Sequence, residues 1–193
     1  MKRNVAILLF DDVEVLDFAG PFEVFAVTDE LHDHQAFHTF TMALKPGTVR
    51  ARNGLKIVAD FTLENCPSPQ LIVIPGGAGT RLLLNMPALH EWLRVKARSA
   101  EIVMSVCTGS LILGRTGLLD DLRATTHHKA FAELRLHAPK TEVIENERFI
   151  DNGKIITSAG ISAGIDCSLH VVARLFGEDA ANRTADYMEY RRP

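Results

Sequence analysis

Apolar residues in this chain fall into short unbroken runs, separated by longer stretches in which they recur every three or four positions. Residues 5–10 (VAILLF), 37–44 (FHTFTMAL), 71–74 (LIVI) and 101–106 (EIVMSV) have strand length. Runs with so little alternation suit strands covered on both faces. Between them the period lengthens. Residues 87–98 carry Leu89, Trp92, Leu93 and Ala97 at helical spacing behind Pro87. Residues 161–176 form a longer amphipathic helix closed by Gly177, and 179–190 a last one. Gly20-Pro21 is read as the opening of a short buried helix to about Thr28. A helix over 110–116 stops at Gly117, and 125–136 holds a strand end and a helix. Asn53-Gly54 centres a hairpin-like excursion over 50–61, and Asp151-Asn152-Gly153 turns a second pair of strands within 142–157.

Strands alternating with helices predict an α/β protein with a mostly parallel sheet and helices on both faces. No repeat or linker divides residues 1–193, so a single domain is expected. Composition narrows the partners. The chain has 21 Lys+Arg against 24 Asp+Glu, a net charge of −3, which leaves no basic excess for nucleic acid. At 47% hydrophobic residues it is not a disordered chain. Only six apolar residues separate Met-Lys-Arg-Asn from Asp11-Asp12, too few for a secretory leader, and no run approaches a membrane span. Cys66, Cys107 and Cys167 are an odd, widely spaced set, neither a disulfide framework nor a C-x-x-C metal pattern. Reduced thiols in a cytoplasmic protein are expected, with no metal. His32, His34 and His38 are read as solvated loop histidines.

The chemistry concentrates at Cys107, where a buried strand (IVMSV) meets a helix (TGSLILG). Such a turn lifts a side chain above the sheet edge, and the helix end beneath it is expected to favour thiolate. Cys66 and Cys167 fit buried, inert positions better. Asp17 lies among apolar neighbours just past the first strand. It is either a desolvated carboxyl able to give and take a proton or the N-cap of the helix at Gly20-Pro21. Gly76, Gly77 and Gly79 follow a buried strand, where backbone N–H groups can approach a ligand; the third glycine of a dinucleotide fingerprint is missing. His127 and His128, twenty residues beyond the cysteine, are candidates to reach it. An apolar pocket around Leu16, Phe18 and Ile161 would suit a neutral, hydrophobic substrate.

Together the segments LLFDDVEVLDFAGPFEV, IPGGAGT, SVCTGS, TGLLDDLRATTHH and SAGISAGIDCSLHVVARLFGEDAA resemble the ThiJ/PfpI superfamily over nearly the whole chain. Within it they are most similar to isonitrile hydratases and to the amidotransferase-like domains of AraC-type regulators. The resemblance implies a flavodoxin-like three-layer sandwich and a homodimer with its site near the interface. It implies Cys107 as nucleophile, Asp17 as acid/base, and the N–H groups of Gly77 and Thr108 as an oxyanion hole. Gly76 and His127 are added as substrate contacts, with the Thr108 hydroxyl as a further polar contact. No cofactor follows from it. The implied activity is hydration of a small neutral electrophile, an isonitrile, to an N-substituted formamide through a thioimidate on Cys107. Glyoxalase- or deglycase-like handling of α-oxoaldehydes is the alternative, although members of that kind usually carry Glu where this chain has Asp17. A non-catalytic ligand or oxidation sensor is the third reading. Protease-named members place His after the cysteine, where this chain has Thr108, and no helix-turn-helix segment follows Tyr190, so neither a peptidase nor a DNA-binding regulator is expected.

Overall fold

The computed structural model, which describes residues 2–192, gathers the unbroken apolar runs into one seven-stranded sheet. The first half of the chain contains β1 (Arg3–Leu9), α1 (Val15–Glu30), β2 (Phe37–Ala43), β3 (Thr48–Arg50), β4 (Lys56–Val58), β5 (Phe61–Thr62), β6 (Leu71–Ile74), α2 (Thr80–Leu83) and α3 (Pro87–Ser99). The second contains β7 (Ile102–Val106), α4 (Gly109–Arg115), β8 (Arg123–Ala124), α5 (Phe131–His137), β9 (Glu142–Val143), β10 (Phe149–Asp151), β11 (Ile155–Ser158), α6 (Ala163–Phe176) and α7 (Glu178–Tyr187).

The strand order is β10-β11-β7-β6-β1-β2-β5, parallel throughout except where β10 meets β11. Every residue of β6 and β7 is buried, as expected of strands covered on both faces. Each fully buried Ile or Leu there contributes about 1.5–3 kcal/mol relative to exposure. From β1 the chain moves outward to β2, then returns to place β6 on the other side of β1 and moves away through β7. Right-handed crossovers in opposite directions put α1 and α3 on opposite faces. α1 packs on α6 and α7, while α4 packs on α5 and α2. The protein is thus a flavodoxin-like α/β sandwich, and the reversal between β1 and β6 marks where an open parallel sheet leaves a crevice at its carboxyl edge.

Two helix starts differ from the sequence reading. α1 begins at Val15, five residues before Gly20-Pro21, and carries Pro21 inside. The missing N–H of Pro21 leaves the Asp17 carbonyl without its helical partner, a loss the buried helix tolerates. Asp17 therefore lies in the first turn and caps nothing. α6 begins at Ala163 because Ile161 has φ +56°, outside helical space. The four-residue α2 carried no sequence signal. Among the described residues, no helix is long and apolar enough to cross a membrane.

Candidate active site

Cys107 follows β7 directly and has φ +56°, a left-handed conformation uncommon for a residue with a side chain. Its surroundings hold it there. The Cys107 N–H donates to the carbonyls of Ser158 (3.2 Å) and Ala159 (3.1 Å). Its own carbonyl accepts the hydroxyls of Thr126 (2.9 Å) and Ser110 (3.1 Å). With both peptide groups engaged, the surrounding structure sustains the strained backbone, as occurs at functional turns. Glycine allows the close approach around it. A Cβ on Gly76 would lie 2.5 Å from the Thr108 nitrogen and 2.8 Å from the Cys107 Cβ.

Asp17 is fully buried. Its Oδ2 accepts the Gly76 N–H at 3.0 Å, and its Oδ1 has no hydrogen-bond partner among the described residues. Burial pushes the carboxyl up to about 7, opposed by the Gly76 N–H and the Cys107 thiol and reinforced by the Glu14 carboxylate. The thiol moves the same way. Burial, and then the charge of Asp17, pushes Cys107 up to about 12 against the Thr108 N–H. The expectation that a helix end alone would make a thiolate does not hold, because desolvation outweighs it. The two acids are coupled. As pH rises through the Asp17 range the carboxyl loses its proton first, and its charge helps the thiol keep its own.

The predicted backbone donors are distributed otherwise than expected. Gly76 spends its N–H on Asp17, and Gly77 donates to Thr108 Oγ1 at 3.0 Å. Thr108 Oγ1 also faces the Gly77 carbonyl (3.2 Å) and Thr80 Oγ1 (3.3 Å), so this hydroxyl ties the cysteine turn to the 76–77 loop. The Thr108 N–H is turned toward the sulfur.

A cavity of about 360 Å³ opens beside Cys107, Thr108 and Gly77. His127 lines it and His128 does not, although their rings stack 4.2 Å apart. The Nδ1 of His127 accepts the Lys129 N–H at 3.2 Å, which puts the neutral ring's proton on Nε2. Burial, then the charges of His128 and Lys129, holds this imidazole below its ordinary range. Ile161 also lines the cavity, but Leu16 and Phe18 do not. The α1 start at Val15 carries Phe18 into the core and leaves Leu16 exposed on the surface. The walls are completed instead by Glu14, Arg52, Arg81 and Lys129, none of which the sequence reading named. The expectation of a neutral substrate rested on an apolar wall; the wall is apolar in part but carries four charged side chains. Arg52 is delivered by the β3–β4 hairpin, whose Arg52 N–H bonds the Val13 carbonyl at 2.9 Å. No spacing in the sequence announces that contact.

The other candidates lie apart from this site. His32 bonds the Thr28 carbonyl, His34 faces Asp29 and His38 faces Asn4. Among the described residues, no group of three His, Cys, Asp or Glu side chains is placed to hold a metal. The three cysteines are unpaired, and burial pushes the thiol of Cys66 up to about 11 and that of Cys167 higher still.

A strained cysteine at the carboxyl edge of a parallel sheet, coupled to a buried carboxyl from the first turn of α1, defines a class of α/β proteins with a cysteine elbow. The chain belongs to the DJ-1/PfpI family, whose pattern matches residues 3–174. It is 35% identical over 191 residues to an isonitrile hydratase of Pseudomonas putida, covering 98% of this chain and 79% of that protein. It is 31% identical over 187 residues to the HTH-type transcriptional regulator CdhR of Pseudomonas aeruginosa; the match covers 96% of this chain but 54% of the regulator. A ThiJ/PfpI family protein from Pseudomonas syringae has a similar crystal structure, with TM-score 0.89 and 27% identity over 100% of this chain and 77% of that one.

Proposed function

We propose that this protein is a cysteine-dependent hydratase of isonitriles, using Cys107 as nucleophile and Asp17 as acid and base. The observation that carries the reading is the burial of the Asp17 carboxyl beside the Cys107 thiol, close enough for each to shift the other's proton affinity. An isonitrile carbon accepts a nucleophile and a proton at the same atom. The Asp17 carboxylate takes the proton of the Cys107 thiol as the sulfur adds to that carbon, and delivers it to the same carbon, giving a thioimidate. The Asp17 carboxylate then takes a proton from water as the oxygen adds to the same carbon, and hands it to the nitrogen. The carbon–sulfur bond breaks, the sulfur leaves with its electron pair, and an N-substituted formamide is released as the hydroxyl proton passes through Asp17 to the sulfur. The pair is back in its starting state. Atoms balance as isonitrile plus water. The Thr108 N–H steadies the sulfur anion, and no cofactor takes part. The likeness to the isonitrile hydratase over nearly the whole chain supports this choice of substrate.

His127 supports a second reading. An imidazole with its Nε2–H at the cavity can hand a proton to an α-oxoaldehyde once the thiolate has added to the aldehyde carbon. One assay separates the two. Wild type, Cys107→Ala and Asp17→Asn are tested against a small isonitrile, with formamide as product, and against methylglyoxal, with lactate as product. The isonitrile reading predicts formamide from wild type and at least a 100-fold loss in both variants, the size expected for removing a nucleophile or an acid/base group. Lactate without formamide favours the aldehyde reading, and unchanged formamide production in either variant removes that residue from the mechanism.

A further inference from the structure

The cavity residues that hydration leaves unused are charged, and their charges do not cancel. Arg52, Arg81 and Lys129 line it against one acidic side chain, Glu14. Two of the cations are matched within the protein. Arg52 Nη1 lies 3.2 Å from Glu14 Oε2, and Arg81 grips Glu133 with Nη2 at 2.7 Å and Nε at 3.0 Å. Lys129 has no carboxylate within 4.0 Å among the described residues. Its backbone N–H donates to His127 Nδ1, and its side chain is exposed at the cavity. Beside burial, the charges of His128 and Lys129, and then Arg81, lower the proton affinity of His127 against Glu14, which raises it. The thiol at the floor is governed instead by burial and Asp17. Positive charge therefore gathers around the mouth while the reacting sulfur sits below it.

We propose that the substrate carries a carboxylate a few atoms from its electrophilic carbon, with the carbon presented to Cys107 and the carboxylate held by Lys129 beside Arg81. The inference rests on the reading of Cys107 as nucleophile and names the class of molecule it attacks. Lys129 is exposed at the cavity and solvated, and a neutral isonitrile makes no use of its charge. An isonitrile with an acid group a few atoms away engages it, and charge-assisted contacts of this kind are the stronger hydrogen bonds. Opposing charges are contained. Glu14 is occupied by Arg52, and Asp17 is fully buried beneath the cavity.

Two alkylating reagents of equal reach test this without any turnover. Iodoacetate and iodoacetamide differ in a carboxylate against an amide; in both, the Cys107 sulfur bonds to the CH2 carbon as iodide leaves. The rate of each at Cys107 is followed by peptide mass spectrometry in the full chain, and the iodoacetate-to-iodoacetamide ratio is compared with that of glutathione. The ratio at Cys107 exceeds that of glutathione by roughly three- to tenfold, the range between an exposed ion pair and a charge-assisted contact. Lys129→Gln brings it down toward the glutathione value, Lys129→Glu inverts the preference, and about 0.5 M NaCl reduces it by screening. A ratio equal to that of glutathione, or one that both Lys129 variants leave unchanged, overturns the carboxylate proposal and leaves the nucleophile reading standing. A Cys107 inert to both reagents contradicts the nucleophile reading and this one with it.

Discussion

Cys107 and Ile161 share the same φ of +56°, and both border the cavity. For a β-branched residue the left-handed region is a clear outlier, costing about 1–2 kcal/mol. Ile161 is 38% exposed, so its side chain recovers little of that by burial. Asparagine adopts this conformation far more readily. Ile161→Asn is therefore expected to raise stability by about 1 kcal/mol in urea denaturation. A decrease would mean that the apolar contacts of Ile161 outweigh its strain. The two strained residues were unequally legible. Cys107 stands at a strand-to-helix junction that its neighbours declare, whereas nothing in Ser158-Ala159-Gly160-Ile161 signals a positive φ on an isoleucine. Asp17 was found by its apolar context, but its rank against an N-cap required knowing where the helix starts. Arg52, Arg81 and Lys129 went unseen because the fold, not their spacing, gathers them around Cys107.

The elbow is a property of elements, since β7 and α4 must meet with almost no loop between them. Gly109, the first residue of α4, permits this. A Cβ there would lie 2.0 Å from the Ile74 carbonyl oxygen, a backbone atom of β6 that cannot swing aside. Gly109→Ala is expected to lower stability by about 3 kcal/mol, as the helix is pushed off the end of β6. Thermal denaturation together with Cys107 alkylation checks it; an alanine variant of wild-type stability would show that the junction has slack. At this scale the sequence was most informative. Strands β1, β2, β6 and β7 follow the apolar runs to within a residue or two, most sharply at β6 and β7, where every position is buried. The start of α1 was misplaced because Gly20-Pro21 reads as a helix opening, while tertiary packing carries the helix through it.

The proton affinities at the site belong to the whole molecule, because burial is the largest cause for both Asp17 and Cys107. No local motif encodes that; it arises from closing a seven-stranded sheet between two helical layers around the pair. The family, by contrast, was readable from five segments in order, since the glycines and small residues that let backbones meet around Cys107 leave few alternatives. The same account sets the pH behaviour. Below the Asp17 range the pair holds two protons and the sulfur is an inert thiol. Above it the carboxyl has lost its proton while the thiol keeps its own, and the carboxylate can take that proton as the sulfur attacks. The most direct measurement is the pH profile of Cys107 alkylation by iodoacetamide in wild type and Asp17→Asn. The account predicts a wild-type rate that rises through about pH 7 to a plateau, with the plateau absent in the variant, whose rate climbs only toward the thiol's own, higher range. Superimposable profiles would contradict it, by showing that the sulfur titrates without reference to Asp17.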